Sequence, residues 1–402
     1  MRSRIDAYLA GLCTVLLVLF VVVVANGRDA DTATAVAADG SQQTSDQTSS
    51  ESTSSTSADA SGKAGTSEKD DKPAGPNFKI APLKPGEQPP QFIIFSFDGA
   101  GSTTKWATFS AAAKKVDAQF VGFLTGTYLL PDDAKTAYQG PGHSPGKSSV
   151  GFGGTPAEVA KMVTTLNGAK AAGHEIGTHY NGHFCAGAEP SGKDWSTEQW
   201  NSELDQFFNF LANYQSIGSL PGPALEVTAE DIKGGRTPCL EGKSEVFFPA
   251  SAAHGMTYDT SLVSSGMVWP KPIDGLWEFH MPSVRVPATD RTVIAMDYNF
   301  WYQFNKATDA PGQASQFTTM VLDTYHSMLQ AAMAGNRAPL VIGNHFNDWS
   351  GNAFNPAVEQ FMLEACDQDG VVCTTYQNVM KWMGAQTGEV LQALVDLPAT
   401  YN

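Results

Sequence analysis

Two histidines four residues apart, His179 and His183 in the run His-Tyr-Asn-Gly-His, are the first residues here whose type and spacing suit chemistry. Two imidazoles so placed can both reach one zinc-like cation at ~2.0–2.1 Å. His174 and His179 are five apart and fail the helical zinc-protease motif, which needs two histidines on one helical face. Gly177 and Gly182 disfavour a helix here, so the pair His179/His183 belongs to a loop after a strand. Three more polar groups end apolar runs: Asp98 after Phe92–Phe97, Asp297 after Thr292–Met296, and His345 after Leu340–Asn344. Carboxylates and imidazoles are the groups that move protons near neutral pH. In a (β/α) barrel the C-terminal edge of the strands carries the chemistry, and Asp98, His179, Asp297 and His345 would all lie on it.

The elements that must hold these groups can be read from the same runs. Strands are expected at 92–98, 118–125, 176–179, 292–297, 340–345 and 371–376. Helices are expected at 156–172, at 197–214 with Ser196 as N-cap, and at 316–334, 356–364 and 377–383. Strand and helix alternating over some 300 residues predict an α/β fold, a distorted (β/α) barrel, occupying 91–402.

Ahead of it the chain is of another kind. Arg2 and Arg4 precede an uncharged apolar run from Tyr8 to Ala25, long enough as a helix to span ~27 Å. Residues 1–26 therefore read as a transmembrane anchor or a signal peptide, and either would export the downstream chain to the membrane's outer face or beyond. Residues 27–90 are rich in Ser, Thr, Ala, Asp and Gly and read as a disordered linker reaching on the order of 45 Å. Net charge is −16, with no clustered Lys and Arg, which argues against a nucleic-acid partner. Outside the apolar run are four cysteines, Cys185, Cys239, Cys366 and Cys373, an even number suited to an oxidising compartment. Three pairings exist; Cys366 with Cys373 closes a short loop, and Cys185 and Cys239 both adjoin candidate site motifs. Trp106, Trp195, Trp301 and Trp349 offer rings to a sugar, and Trp349, four residues after His345, has the strongest claim. The Gly/Pro-rich loop 139–154, with His143, suits either a substrate lid or an ordinary surface loop; His254, His280 and His326 read as structural.

Six segments in order resemble the NodB-type polysaccharide deacetylases, carbohydrate esterase family 4, and within them the chitin-deacetylase-like branch. They are Phe95 to Ala100, Gly173 to His183, Arg236-Thr237-Pro238, Tyr258-Asp259-Thr260-Ser261, Asp297 to Trp301, and Ile342 to His345. Trp277-Glu278 ahead of Pro282, and Asn336-Arg337-Ala338-Pro339, also match that branch. The resemblance covers about Gln91 to Met383 and implies a metal-dependent hydrolase that removes N-acetyl groups from amino-sugar polymers such as chitin or peptidoglycan. It implies His179 and His183 as ligands of a zinc-like divalent metal, Asp98 as general base and His345 as general acid. Arg236 would pair with Asp98, and Asp297 would orient His345. One departure stands out: the family has two adjacent Asp residues, base then metal ligand, where this chain has Asp98-Gly99. Shifted by one residue, Asp98 would be the ligand and Phe97 would stand at the base position. The register with Asp98 as base is preferred because it keeps Phe97 on the apolar face of the strand. The alternative is thus a weak or inactive relative that binds wall glycan.

Overall fold

The segment Gln91-Phe-Ile-Ile-Phe-Ser-Phe-Asp-Gly99 is apolar on both faces, so it must be covered on both. In the computed structural model, which describes residues 75–402, it forms β1 (Gln91–Gly99) inside the main sheet. On one edge β1 pairs in parallel with β11 (Leu340–His345); on the other it pairs with β2 (Val121–Leu124) and, lower down, β12 (Val371–Cys373). The sheet continues through β3 (Glu175–Thr178), β4 (Gly234–Gly235), β5 (Tyr258–Asp259), β8 (Leu276–Glu278) and β7 (Lys271–Ile273). All these pairings are parallel except β7 with β8. A separate three-stranded sheet holds β6 (Val263–Ser265), β9 (Met281–Val286) and β10 (Arg291–Ile294). Met296 bridges from the end of β10 to Gly343 on the free edge of β11.

The sheet does not close into a barrel, because β7 and β11 stand at its two ends and do not pair with each other. The reason lies in residues 263–294, where β-hairpin chemistry replaces the strand–helix repeat. Asp274 and Gly275, both with positive φ, make the two-residue turn that joins β7 to β8. Two expected strand ends are also corrected. Asp297 opens the helix Asp297–Asn305 instead of closing a strand, and Tyr376 opens the helix Tyr376–Gly384.

Helices flank the sheet and are capped as their sequences dictate. Thr155 with Glu158, and Ser196 with Gln199, form capping boxes at the starts of Pro156–Ala171 and Thr197–Gly218. Behind β1, Phe97 packs on Phe109, Phe120 and Phe346 with centroids 4.4, 5.5 and 4.9 Å away. Each such ring contributes about 1.5–3 kcal/mol by burial. That packing fixes the register of β1, with Phe97 in the core and Asp98 across the sheet from it.

The expected anchor or signal peptide, and the linker up to residue 74, lie outside the described residues. Among the described residues no helix is long and apolar enough to cross a membrane. Residues 75–90, assigned by composition to the linker, lie against the fold: Phe78 meets Phe92 at 5.4 Å, and Leu83 N–H donates to Gln386 Oε1.

Candidate active site

Adjacent parallel strands bring Asp98 and His345 level, since they are register partners across β1 and β11. Asp98 is almost fully buried and accepts a 2.7 Å hydrogen bond from Arg236 Nη1 at Oδ1. Burial opposes its charge, but Arg236, His179 and His345 outweigh that and hold the carboxyl below the usual carboxylate range.

Arg236 comes directly after β4, a strand of two glycines squeezed between β3 and β5. A Cβ on Gly235 would lie 2.5 Å from the Thr178 carbonyl oxygen, so this close approach admits glycine alone. The Arg236 guanidinium is itself fully buried. Besides Asp98 it donates to Ser96 Oγ, Thr260 Oγ1, Tyr376 Oη and the Thr260 carbonyl, at 3.0–3.1 Å. Its backbone carbonyl accepts from His179 Nδ1 at 2.8 Å. That bond puts the Nδ1 proton on the carbonyl side and leaves Nε2 as a buried lone pair with no protein partner.

His183 lies beside His179, ring centroids 5.2 Å apart. Burial, the largest cause, pushes both imidazoles down, His179 to about 4 and His183 to about 3, so both are neutral at physiological pH. Neutral imidazoles with a free ring nitrogen are what a zinc-like cation takes. A ring nitrogen of His183 and the sulfurs of Cys185 and Cys239 also lie within 4.8 Å of one another. Those sulfurs are joined in a disulfide and offer no thiolate to a metal. A second disulfide joins Cys366 to Cys373.

His345 is held from the other side. Its Nδ1 donates to Asp297 Oδ1 at 2.7 Å, while Asp297 Oδ2 takes the His345 backbone N–H at 2.7 Å. Burial works against the imidazolium, yet Asp297 and Asp98 raise the ring's affinity for its proton. Nε2 is left as the edge that can exchange that proton. Beside it, Trp349 lies 5.2 Å from the His345 ring and stacks on Trp301 at 5.0 Å and 17°. Tyr298, 42% exposed, packs edge-on against both tryptophans. Trp106 and Trp195, by contrast, are core residues.

No family model and no curated relative matches the sequence. Among solved structures, the chain is similar to a Mycobacterium smegmatis protein assigned as a polysaccharide deacetylase (14% identity, 82% of this chain, 97% of that one, TM-score 0.43). It is similar too to the peptidoglycan deacetylase PdaC from Bacillus subtilis (12%, 75% and 94%, 0.39). A family 4 pseudoenzyme from Bacillus anthracis gives 10%, 81% and 74%, and 0.40. Identities and TM-scores this low assign neither activity nor residue roles, which rest on the site's own geometry.

The site thus gathers Asp98, Arg236, His179, His183, Asp297 and His345, with Trp301 and Trp349 alongside. The loop 139–154 is fastened down: Ser149 N–H donates to the Gly182 carbonyl, and His143 stacks on Phe184 at 3.6 Å. His254 pairs with Asp205 and His326 with Glu364, away from these groups. The sequence reading missed the hydroxyls of Ser96, Thr260 and Tyr376 around Arg236. It missed too the pair Asp259 and Glu278, register partners buried between β5 and β8. Asp259 Oδ1 accepts from Ser261 N–H and Glu278 Oε1 from Leu262 N–H. The second oxygen of each takes no bond from any other residue, and burial raises both carboxyls above the usual carboxylate range.

Proposed function

We propose that this chain is a metal-assisted hydrolase that removes N-acetyl groups from amino-sugar polymers of the chitin or peptidoglycan type. The observation that carries this reading is one sheet edge where Asp98, paired with Arg236, lies level with His345, paired with Asp297, beside the neutral imidazoles of His179 and His183. His179, through its unpartnered Nε2, and His183 would hold the metal, and the Arg236 carbonyl would fix the His179 tautomer. A divalent metal of the zinc kind, when bound, polarises an acyl carbonyl and makes a nearby water more acidic. Asp98, kept ionised by Arg236, accepts a proton from the attacking water. His345, whose hold on its proton Asp297 strengthens, would give its Nε2 proton to the departing nitrogen, because an amine leaves poorly unless protonated. The Trp301–Trp349–Tyr298 surface suits the apolar face of a sugar ring. With the N-terminal apolar run as anchor or signal peptide, the reaction would take place on glycan outside the cell membrane.

A second reading, a glycan-binding relative with little turnover, is favoured by Gly99. It has φ +76, and no carboxylate stands at that position to complete a ligand set. Acetate release from N-acetylglucosamine oligomers separates the two. The enzyme reading expects release that a chelator stops and zinc restores; retained binding with no acetate at any metal loading would leave only the second.

A further inference from the structure

We infer that Glu203 is a positioning residue for the loop of His179 and His183, setting their relative placement through the backbone between them. The inference rests on these two histidines being the proposed metal ligands. Between them the chain carries a left-handed residue, Tyr180 at φ 55, and it ends on another, His183 at φ 54. Both are costly for non-glycine residues, so something must hold the loop in that shape. Glu203, on the helix Thr197–Gly218, supplies it: Oε1 accepts the N–H of Asn181 at 3.0 Å and that of Gly182 at 3.1 Å. Asn181 Nδ2 answers with a 2.7 Å bond to the Glu203 carbonyl. Tyr138 Oη lies 3.0 Å from both carboxylate oxygens and closes the far side. A Cβ on Gly182 would lie 2.2 Å from that same Tyr138 oxygen, so Gly182, Tyr138 and Glu203 interlock.

The placement is unusual for a glutamate. Trp200, Glu203, Leu204, Phe207 and Leu211 form the buried stripe of the helix, where packing alone calls for an apolar side chain. Glu203 has no cation partner among the described residues and is fully buried. An unpaired buried carboxyl is expensive unless its hydrogen bonds are met, and here the loop's own amides meet them. The same bonds that make Glu203 tolerable therefore make the loop rigid before any metal arrives.

The test uses the full chain and cobalt(II) as probe, with metal affinity, the visible spectrum of the bound ion and metal-free unfolding measured together. Glu203→Gln keeps an acceptor oxygen for both amides and can donate to Tyr138, so binding close to wild type is expected. Glu203→Leu removes the acceptor; loss of an outer partner of this kind weakens metal binding about 10–100-fold. A Glu203→Leu protein that unfolds cooperatively yet binds cobalt like the wild type would overturn the inference. If Glu203→Leu does not fold, hydrogen exchange on the metal-free wild type decides. Protected Asn181 and Gly182 amides support the clamp, and exchange at the rate of open-loop amides refutes it. A wild type that binds no cobalt would overturn the proposed metal site instead, and the exchange experiment would still report on the clamp.

Discussion

Replacing Arg236 with methionine strands the Asp98 carboxyl, 3% exposed, without its cation. Losing one partner of a buried ion pair costs about 3–5 kcal/mol, a large part of the ~5–15 kcal/mol that stabilises an ordinary domain. The hydroxyls that Arg236 bonds add little to this, because Tyr376 Oη still reaches Ser96 Oγ at 3.2 Å and Thr260 Oγ1 at 3.4 Å. Most of the loss therefore belongs to the stranded carboxylate, and adding Asp98→Asn to Arg236→Met should restore about 2 kcal/mol or more. Urea unfolding of wild type, both single variants and the double variant at neutral pH gives the coupling directly. The sign with pH is fixed as well. Asp98 titrates below its ordinary 3.8 in the folded protein, so the pair's contribution is present above that pH and is lost as pH falls through the folded value. Without Arg236, burial drives the carboxyl upward, and the deficit of Arg236→Met should shrink on acidification. Single changes that add within about 0.5 kcal/mol, or a deficit that ignores pH, would refute the ion-pair account.

Asp259 and Glu278 give the opposite slope. Burial holds Asp259 up to about 6 against 3.8, so stability should fall as pH rises through that window, and Glu278→Gln should flatten the fall in thermal melts across it. Asp297→Asn removes the partner that raises the His345 affinity for its proton; the alkaline limb of kcat should move to lower pH, with kcat down by about 10²-fold or more. An unchanged limb would mean that His345 is not the acid. Trp349→Ala should raise KM for oligomers by up to about tenfold, the value of one aromatic stack, with kcat little altered in steady-state assays.

Much of the fold can be read where one local signal dominates. β1 and β11 are apolar runs ending in a polar residue, and they emerge as written, carrying Asp98 and His345 side by side. Asp297 shows where such reading fails. The run through Val293 and Ile294 looks continuous with it, but the aspartate begins a helix and turns its carboxylate back on His345, a contact set by tertiary packing. Thr375, whose hydroxyl accepts the Asn378 N–H as a helix cap, lies inside the run 371–376 that reads as strand, so the β-branched residues around it masked the turn. The Asp274-Gly275 hairpin turn between β7 and β8 likewise went unread, a two-residue signal in a stretch where no strand–helix repeat frames it. Glu203 carried a signal too, a lone acid in an apolar stripe of helical spacing, but its partners Asn181, Gly182 and Tyr138 come from distant segments. The Asp259–Glu278 pair had no such sign, because only the register of β5 on β8 brings them together.

The central claim is that His179 and His183 hold one cation beside Asp98 and His345. It is tested most directly by zinc stoichiometry and acetate release measured on the same sample of the full chain, in wild type and in His179→Ala. The account predicts one zinc per wild-type chain, chelator removing metal and turnover together, and both greatly reduced in His179→Ala. Acetate released at an undiminished rate from metal-free protein, or zinc bound equally well without His179, would contradict it.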